Sequence, residues 1–291
     1  MEHIVLVTGA GGQLGSALRA AAPVSRSRFI FTSRHDDGSG DPVLDITDPD
    51  AVSGALQNSG ADIVVNCAAY TDIDRAEGNP EEADLLNHIS VGDLAEAARE
   101  CGAVLVHISC SEVFSGESPV PYREYDETAP SGVYGITKLA GERAVMDSGC
   151  SYIILRTCCL LSRKKDGFLE SLVQELSVKS SVKACIDRTF SPTSADDLAE
   201  AIVRMVDSGG TELQGTYHYA GTGLCSMYDF AVTAARLSGS GCGVVPCRHD
   251  EMPSCSARPA FSALDSTLFR TTFGMEIPYW RDSLEKLLKT K

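Results

Sequence analysis

None of the apolar runs in this chain approaches the ~18 residues of a membrane-spanning helix. The N-terminus, Met1-Glu2-His3 followed by Ile4-Val5-Leu6-Val7, reaches Gly9 too soon for a secretory apolar region and has no small-residue cleavage pattern. Membrane residence and export are therefore not expected, and the cytoplasm is the expected compartment. Basic clusters are equally scarce. The formal net charge is −15, and the densest cationic group is Arg163, Lys164 and Lys165 in an expected loop. Such a chain repels phosphate backbones and anionic lipid, so neither nucleic acid nor a membrane surface is an expected partner. Cysteine is not scarce, with eleven residues. Their number is odd, however, and no Cys-x-x-Cys occurs, which excludes a disulfide framework and a zinc site of the usual spacing. The thiols are expected to be mostly buried and reduced. His88 and His218 have no carboxylate or cysteine partner at ligand spacing, so no metal is expected. The single tryptophan, Trp280, is read as an anchor for the closing helix. No internal repeat or low-complexity tract occurs.

Short apolar runs alternating with longer amphipathic segments fill the first half, the pattern of βαβ units and a parallel sheet. Ile4–Val7, Phe29–Thr32, Ile63–Asn66, Val104–Ile108 and Tyr152–Arg156 are predicted as strands buried on both faces, with helices over Gly15–Ala21, Pro49–Gln57, Glu81–Glu100 and Val133–Asp147. The rhythm then loosens. Helices are predicted at Phe168–Leu176, Ala195–Asp207, Met227–Leu237 and Tyr279–Lys289, and strands at Val182–Ile186, Gly215–Ala220 and Gly243–Pro246. The stretch from Ser238 to Pro259 is rich in Gly, Ser, Cys and Pro, which predicts loops around that last strand. The expected architecture is α/β: a Rossmann-type doubly wound parallel sheet over residues 1–160, with a smaller C-terminal substrate-binding lobe over 161–291. Residues 187–220 or so are expected to return to the first domain.

The first strand runs directly into Gly9-Ala10-Gly11-Gly12-Gln13-Leu14-Gly15, which opens the first helix. Glycines belong where backbone must turn tightly and approach a pyrophosphate, and the helix N-terminus offers free N–H groups to it. The spacing is Gly-x-x-Gly-x-x-Gly, and its place between strand and helix points to dinucleotide binding. After the second strand the chain reads Thr32-Ser33-Arg34-His35-Asp36. An arginine there can hold a ribose 2′-phosphate, which favours NADP, with NAD still open. Tyr134 and Lys138 are four residues apart on one helix face. A phenol is a suitable proton donor to a carbonyl if a nearby cation lowers its pKa from ~10. His107, between a valine and an isoleucine in a strand, is read as packing or satisfying a backbone group.

These motifs, together with Leu44-Asp45-Ile46-Thr47-Asp48, Asn66-Cys67-Ala68-Ala69-Tyr70-Thr71, Asp74-Arg75-Ala76-Glu77, Lys138-Leu139-Ala140-Gly141-Glu142, Ser191-Pro192-Thr193 and Ala257-Arg258-Pro259, resemble the extended short-chain dehydrogenases/reductases. Within that group the chain resembles the dTDP-4-dehydrorhamnose reductases nearly end to end. The resemblance implies NAD(P)H-dependent reduction of the 4-keto group of a dTDP-4-keto-6-deoxy sugar. It also implies a cofactor held by Gly9, Gly12, Gln13, Leu14, Gly15, Arg34, Asp45, Ile46, Ala68, Ala69, Tyr70, Tyr134 and Lys138. Tyr134 would protonate the new alkoxide and Lys138 would bind the nicotinamide ribose and stabilise the tyrosinate. Thr71 and Ile73 would line the sugar.

The chain also departs from that pattern. Where the family has Ser-Thr-Asp-Tyr-Val-Phe, this sequence has Ser109-Cys110-Ser111-Glu112-Val113-Phe114, so Cys110 stands for the carbonyl-binding threonine and Glu112 for a tyrosine. Cys110 or Ser111 would then orient the substrate carbonyl, and a thiol is the weaker donor. Thr157-Cys158-Cys159 replaces Thr-Ser-Trp, putting Cys159 at the substrate-stacking position. One of two adjacent arginines has become Ala257, leaving Arg258. The expected partner is a nucleotide-sugar substrate, with a homodimer as an option. Two other classes stay open: an NADP-binding regulatory subunit resembling the beta subunit of methionine adenosyltransferase, and another nucleotide-sugar epimerase, dehydratase or reductase.

Overall fold

The computed structural model describes residues 2–36, 38–164, 167–252 and 257–289. Lys165 of the basic cluster, Cys255 and part of the 238–259 stretch lie outside them. The strands are β1 (Ile4–Thr8), β2 (Arg28–Phe31), β3 (Ile63–Asn66), β4 (Val104–Cys110), β5 (Ser151–Thr157), β6 (Leu160–Leu161), β7 (Ser181–Cys185), β8 (Thr189–Phe190), β9 (Thr193–Ser194), β10 (Gly215–His218), β11 (Cys225–Ser226) and β12 (Gly243–Cys247). The helices are α1 (Gln13–Ala21), α2 (Pro49–Ser59), α3 (Ile73–Gly78), α4 (Pro80–Asp84), α5 (Ser90–Cys101), α6 (Val133–Asp147), α7 (Phe168–Val178), α8 (Ala195–Asp207), α9 (Met227–Leu237), α10 (Thr267–Phe273) and α11 (Trp280–Lys289). None is long and apolar enough to cross a membrane.

Six strands form one parallel sheet in the order β2-β1-β3-β4-β5-β10. Successive side chains on a strand point to opposite faces, so an unbroken apolar run needs cover on both. On one face Val5 and Val7 join Leu14 and Leu18 of α1 and Ile202 and Met205 of α8. On the other, Leu6 and Val64 join Val52 and Leu56 of α2 and Leu94 of α5. The doubly wound sheet expected from the sequence is thus present, and β1 and β3, the neighbours at which strand order reverses, open a crevice at their carboxyl ends. A second core, built from Phe190, Phe230, Trp280 and Leu284, lies beyond those ends. Trp280 is buried with its ring 5.9 Å from that of Phe230, so it anchors α11.

Three expectations need correction. Strand β2 is at the sheet edge with Arg28 exposed and only Phe31 fully buried, because no strand among the described residues pairs with its outer side. The single helix expected over 81–100 is α4, a wide π-type turn at Leu85–Ile89, and α5. The wide turn delivers buried Asn87, whose Oδ1 accepts from the Tyr70 N–H at 2.9 Å and whose Nδ2 donates to the Tyr70 carbonyl at 3.1 Å. Such turns replace a regular helical bond where a side chain is needed elsewhere. Finally, His88 does have a carboxylate neighbour: its Nδ1 lies 3.0 Å from Asp84 Oδ1 at i,i+4. Helices α3 and α10 carry too few apolar positions to announce themselves by periodicity.

Helix α6 carries Tyr134 and Lys138, and its seat is an ion pair inside the protein. Glu142 is completely buried and receives both Arg156 Nε at 2.9 Å and Arg156 Nη2 at 2.7 Å, with Ser109 donating to the same carboxylate. Arg156 belongs to β5 and Ser109 to β4, so one carboxylate fastens the helix to two strands. A charge left alone in such a place is costly. Glu142→Ala should therefore lose about 3–5 kcal/mol of stability, read from the urea midpoint by circular dichroism; an unchanged midpoint would mean that the pair is not what seats the helix.

Candidate active site

At the carboxyl ends of the sheet lies a cavity of about 780 Å³. Every site residue nominated from the sequence lines it except Gly15 and Tyr70. Gly15 is instead the point where α1 meets the loop, since a Cβ there would collide with the Gly9 carbonyl. Tyr70 turns its ring into a small cluster with Ala76 and Ala83, and Asn87 clamps its peptide.

Gly9 follows β1 with φ +67°, and a Cβ on it would come within 2.6 Å of the Ala68 nitrogen at the end of β3. Only glycine allows both the left-handed backbone and the approach of the two strands. Gly12 begins α1 without any side-chain cap, so the first-turn N–H groups are left for a ligand, the arrangement that suits a phosphate. Arg34 reaches over the same crevice and pairs with Asp45 at 3.0 Å. Partial burial opposes the charge of Asp45, but hydrogen bonds from Thr47 and the Arg34 guanidinium outweigh it and hold the carboxyl below its ordinary pKa.

Beyond this crevice, the turn after β4 presses against α6. A Cβ on Gly135 would collide with the Glu112 carbonyl, so the glycine beside Tyr134 sets how closely the helix meets the strand. The Tyr134 hydroxyl lies within hydrogen-bond reach of the Cys110 sulfur. Ser111 faces the Cys158 thiol instead. The lowered tyrosine pKa expected from a nearby lysine is not found. Burial, with Cys110 and Glu112 beside it, pushes the Tyr134 phenol well above its ordinary value. Lys138 is buried and donates to the Ile108 carbonyl at 2.6 Å, with His107 Nε2 at 3.4 Å. Burial pulls its pKa down, and pushes the Cys110 thiol up to about 12. Tyr134 is thus held as a neutral phenol, which carries a proton that it could deliver.

The outer part of the cavity holds Thr71, Ile73, Glu112, Cys159 and Arg258, with Phe168, Phe190 and Met227 as apolar walls. Arg258 pairs with Asp74 at 2.9 Å. Burial raises the Glu112 pKa, against the charges of Arg188 and Arg258. Arg188 was not singled out from the sequence. It stands alone in a loop after β7, where no periodicity or motif marks it, yet it lines the cavity and its buried Nε has no hydrogen-bond partner among the described residues. His107 is also more than packing: fully buried, it touches Asn66 and Lys138 rather than a backbone group.

Residues 2–291 match the RmlD substrate binding domain family. The dTDP-4-dehydrorhamnose reductase of Sinorhizobium fredii is 35% identical over 290 residues, covering 97% of this chain and 95% of that protein. Among solved structures, a dTDP-4-dehydrorhamnose reductase from Clostridium acetobutylicum superposes with a TM-score of 0.91 at 34% identity, with 98% of each chain covered. One from Bacillus anthracis, crystallised in complex with NADP, gives 0.91 at 30% identity over the full length of both chains.

The Arg34 position yields a direct test. With the guanidinium already shared with Asp45 and half exposed, its charge-assisted bond to a 2′-phosphate should fall at the lower end of ~1.5–3 kcal/mol. Arg34→Ala should narrow the ratio of NADPH to NADH affinity by about tenfold, as measured by fluorescence titration of both nucleotides. An unaltered ratio would make Arg34 a loop residue only.

Proposed function

The chain belongs to the RmlD substrate binding domain family, and from that premise we propose that it reduces the 4-keto group of a dTDP-4-keto-6-deoxy sugar with NADPH, in the cytoplasm. The observation that carries this reading is the single cavity in which a phosphate-fitting glycine loop, a neutral phenol and three arginines meet. The residues fit the dinucleotide: Gly9 leaves no room for a side chain, and α1 starts uncapped. Gly9, Gly12, Gln13 and Leu14 would hold the pyrophosphate, Arg34 the 2′-phosphate, and Asp45 and Ile46 the adenosine, with Ala68 and Ala69 opposite. When bound, the dinucleotide supplies a hydride to the 4-keto carbon. Tyr134 donates its proton to the 4-oxygen as the carbonyl becomes an alcohol. Cys110, beside that phenol, orients the carbonyl, and Ser111, facing Cys158, does not. Lys138 binds the nicotinamide ribose and stabilises the tyrosinate. Arg188 and Arg258 offer cations to the substrate diphosphate, with Thr71, Ile73, Glu112 and Cys159 around the sugar and nucleoside. NADH is the weaker alternative donor, and a homodimer is the assembly to seek by light scattering.

Two experiments test the assignment. Tyr134→Phe keeps ring and helix but removes the proton donor, so NADPH should still bind while oxidation of NADPH by dTDP-4-dehydrorhamnose slows by ~10²–10⁴-fold. Undiminished turnover would assign the proton to another group. In the second, Cys110→Thr exchanges a weak S–H donor for a hydroxyl. A neutral hydrogen bond contributes ~0.5–1.5 kcal/mol, so kcat/KM should rise a few-fold to about tenfold with NADPH affinity held. If Ser111→Ala proves damaging and Cys110→Thr silent, Ser111 is the carbonyl ligand instead.

A further inference from the structure

Asn66 ends β3 directly beside His107 on β4, and its amide has only one orientation that satisfies its neighbours. The Ala68 backbone N–H can only donate, and it points at Asn66 Oδ1 from 3.1 Å, where the Thr8 hydroxyl also donates at 2.7 Å. The amide nitrogen therefore faces His107 Nδ1, 3.2 Å away. Since Nδ2 donates, Nδ1 accepts, and the proton of a neutral imidazole must sit on Nε2. That Nε2–H is aimed at Lys138 Nζ, 3.4 Å away. An ammonium has no lone pair to receive it, whereas a neutral amine does, and its own N–H still serves the Ile108 carbonyl at 2.6 Å.

We propose that Asn66 and His107 are positioning residues that set the charge of Lys138: the amide fixes the imidazole as its Nε2–H tautomer, and that N–H favours the neutral lysine. The inference rests on the reading of Lys138 given above and deepens it, by naming what decides where the lysine loses its proton. The groups facing Lys138 are His107 and the Cys110 thiol from β4, the Cys67 thiol just past β3, and Glu142 and Tyr134 on its own helix. The Glu142 carboxylate favours the ammonium but is already engaged by Arg156. Burial pushes the Cys67 and Cys110 thiols up to about 12 and keeps them neutral. Burial and Lys138 together depress the His107 imidazole far below its ordinary pKa, in keeping with a neutral ring, and burial lowers Lys138 as well. Reduction that relies on the ammonium to stabilise the tyrosinate is lost as pH rises through the Lys138 pKa, and the Asn66–His107 pair moves that loss to lower pH.

Asn66→Asp reverses the pattern with almost no change of shape. One carboxylate oxygen keeps the Ala68 and Thr8 donors, and the other accepts from His107 Nδ1–H, so Nε2 becomes an acceptor for the ammonium. In the full-length protein with NADPH, ¹⁵N-histidine NMR should report the Nε2–H tautomer for wild-type His107 and the Nδ1–H tautomer in the variant. The alkaline limb of kcat/KM for dTDP-4-dehydrorhamnose should move up by about one pH unit, a tenfold change in the lysine equilibrium. A wild-type Nδ1–H tautomer overturns the proposal without needing any variant, as does a flipped tautomer with an unmoved limb. If wild type turns over no sugar nucleotide, the reductase reading falls. The titration is then read from the pH dependence of NADPH affinity, where the same upward shift is required and its absence overturns the proposal.

Discussion

The buried pair between Glu142 and Arg156 is the constraint on which the catalytic half of the molecule depends. Tyr134, Lys138 and Glu142 repeat every four residues and so share one face of α6. Fixing Glu142 to β5 and to Ser109 on β4 presses that whole face against the sheet. Arg156 also lies over the Phe114 ring, 5.2 Å from its centroid, which links the same guanidinium to the turn just after Cys110. An apolar contact could bury as much surface, but it would not specify rotation of the helix about its axis. A bidentate carboxylate does, because two parallel N–H···O bonds tolerate little misalignment.

From this seat the close contact at Gly135 follows, and with it the meeting of phenol and thiol. Cys110 lies beside Tyr134 in the cavity, and Ser111 next to it neighbours Cys158. A buried thiol remains neutral and donates weakly, and Cys110 is such a thiol. The Tyr134 phenol is itself kept protonated by burial. Beside Cys159 the apolar wall is formed by Phe168, Phe190 and Met227, side chains supplied by three different elements.

Much of this was legible in the sequence, for physical reasons that can be named. Strands buried on both faces need continuous apolar runs, and Ile63–Asn66 and Val104–Ile108 provide them. Glycine at position 9 marks a turn that no other residue fits, and a Tyr-x-x-x-Lys spacing places two groups on one face. What stayed hidden depends on contacts between residues far apart in the chain. Nothing local distinguishes Arg28–Phe31 at the edge from the central strands, since edge position is set by what fails to pair beside it. Asn87 looks like an ordinary helical residue until the loop at Tyr70 requires its amide. Arg188 carries no pattern, because its role comes only from a cavity assembled by other segments. The lysine was expected to acidify Tyr134 on spacing alone, but spacing does not reveal that the Ile108 carbonyl and His107 hold its nitrogen.

That last point joins the two halves of the site. Gly9 lets β1 lie against the Ala68 backbone, whose N–H donates to Asn66, and this bond decides which way the Asn66 amide faces. The amide decides the tautomer of His107, and the tautomer decides which charge on Lys138 is favoured. A glycine required by the turn after β1 thereby also constrains, through three hydrogen bonds across adjacent strands, the lysine one helical turn from Tyr134. A larger residue at position 9 would displace Ala68 and free the amide to flip. Damage there would reach Lys138 as well as the crevice at the start of α1.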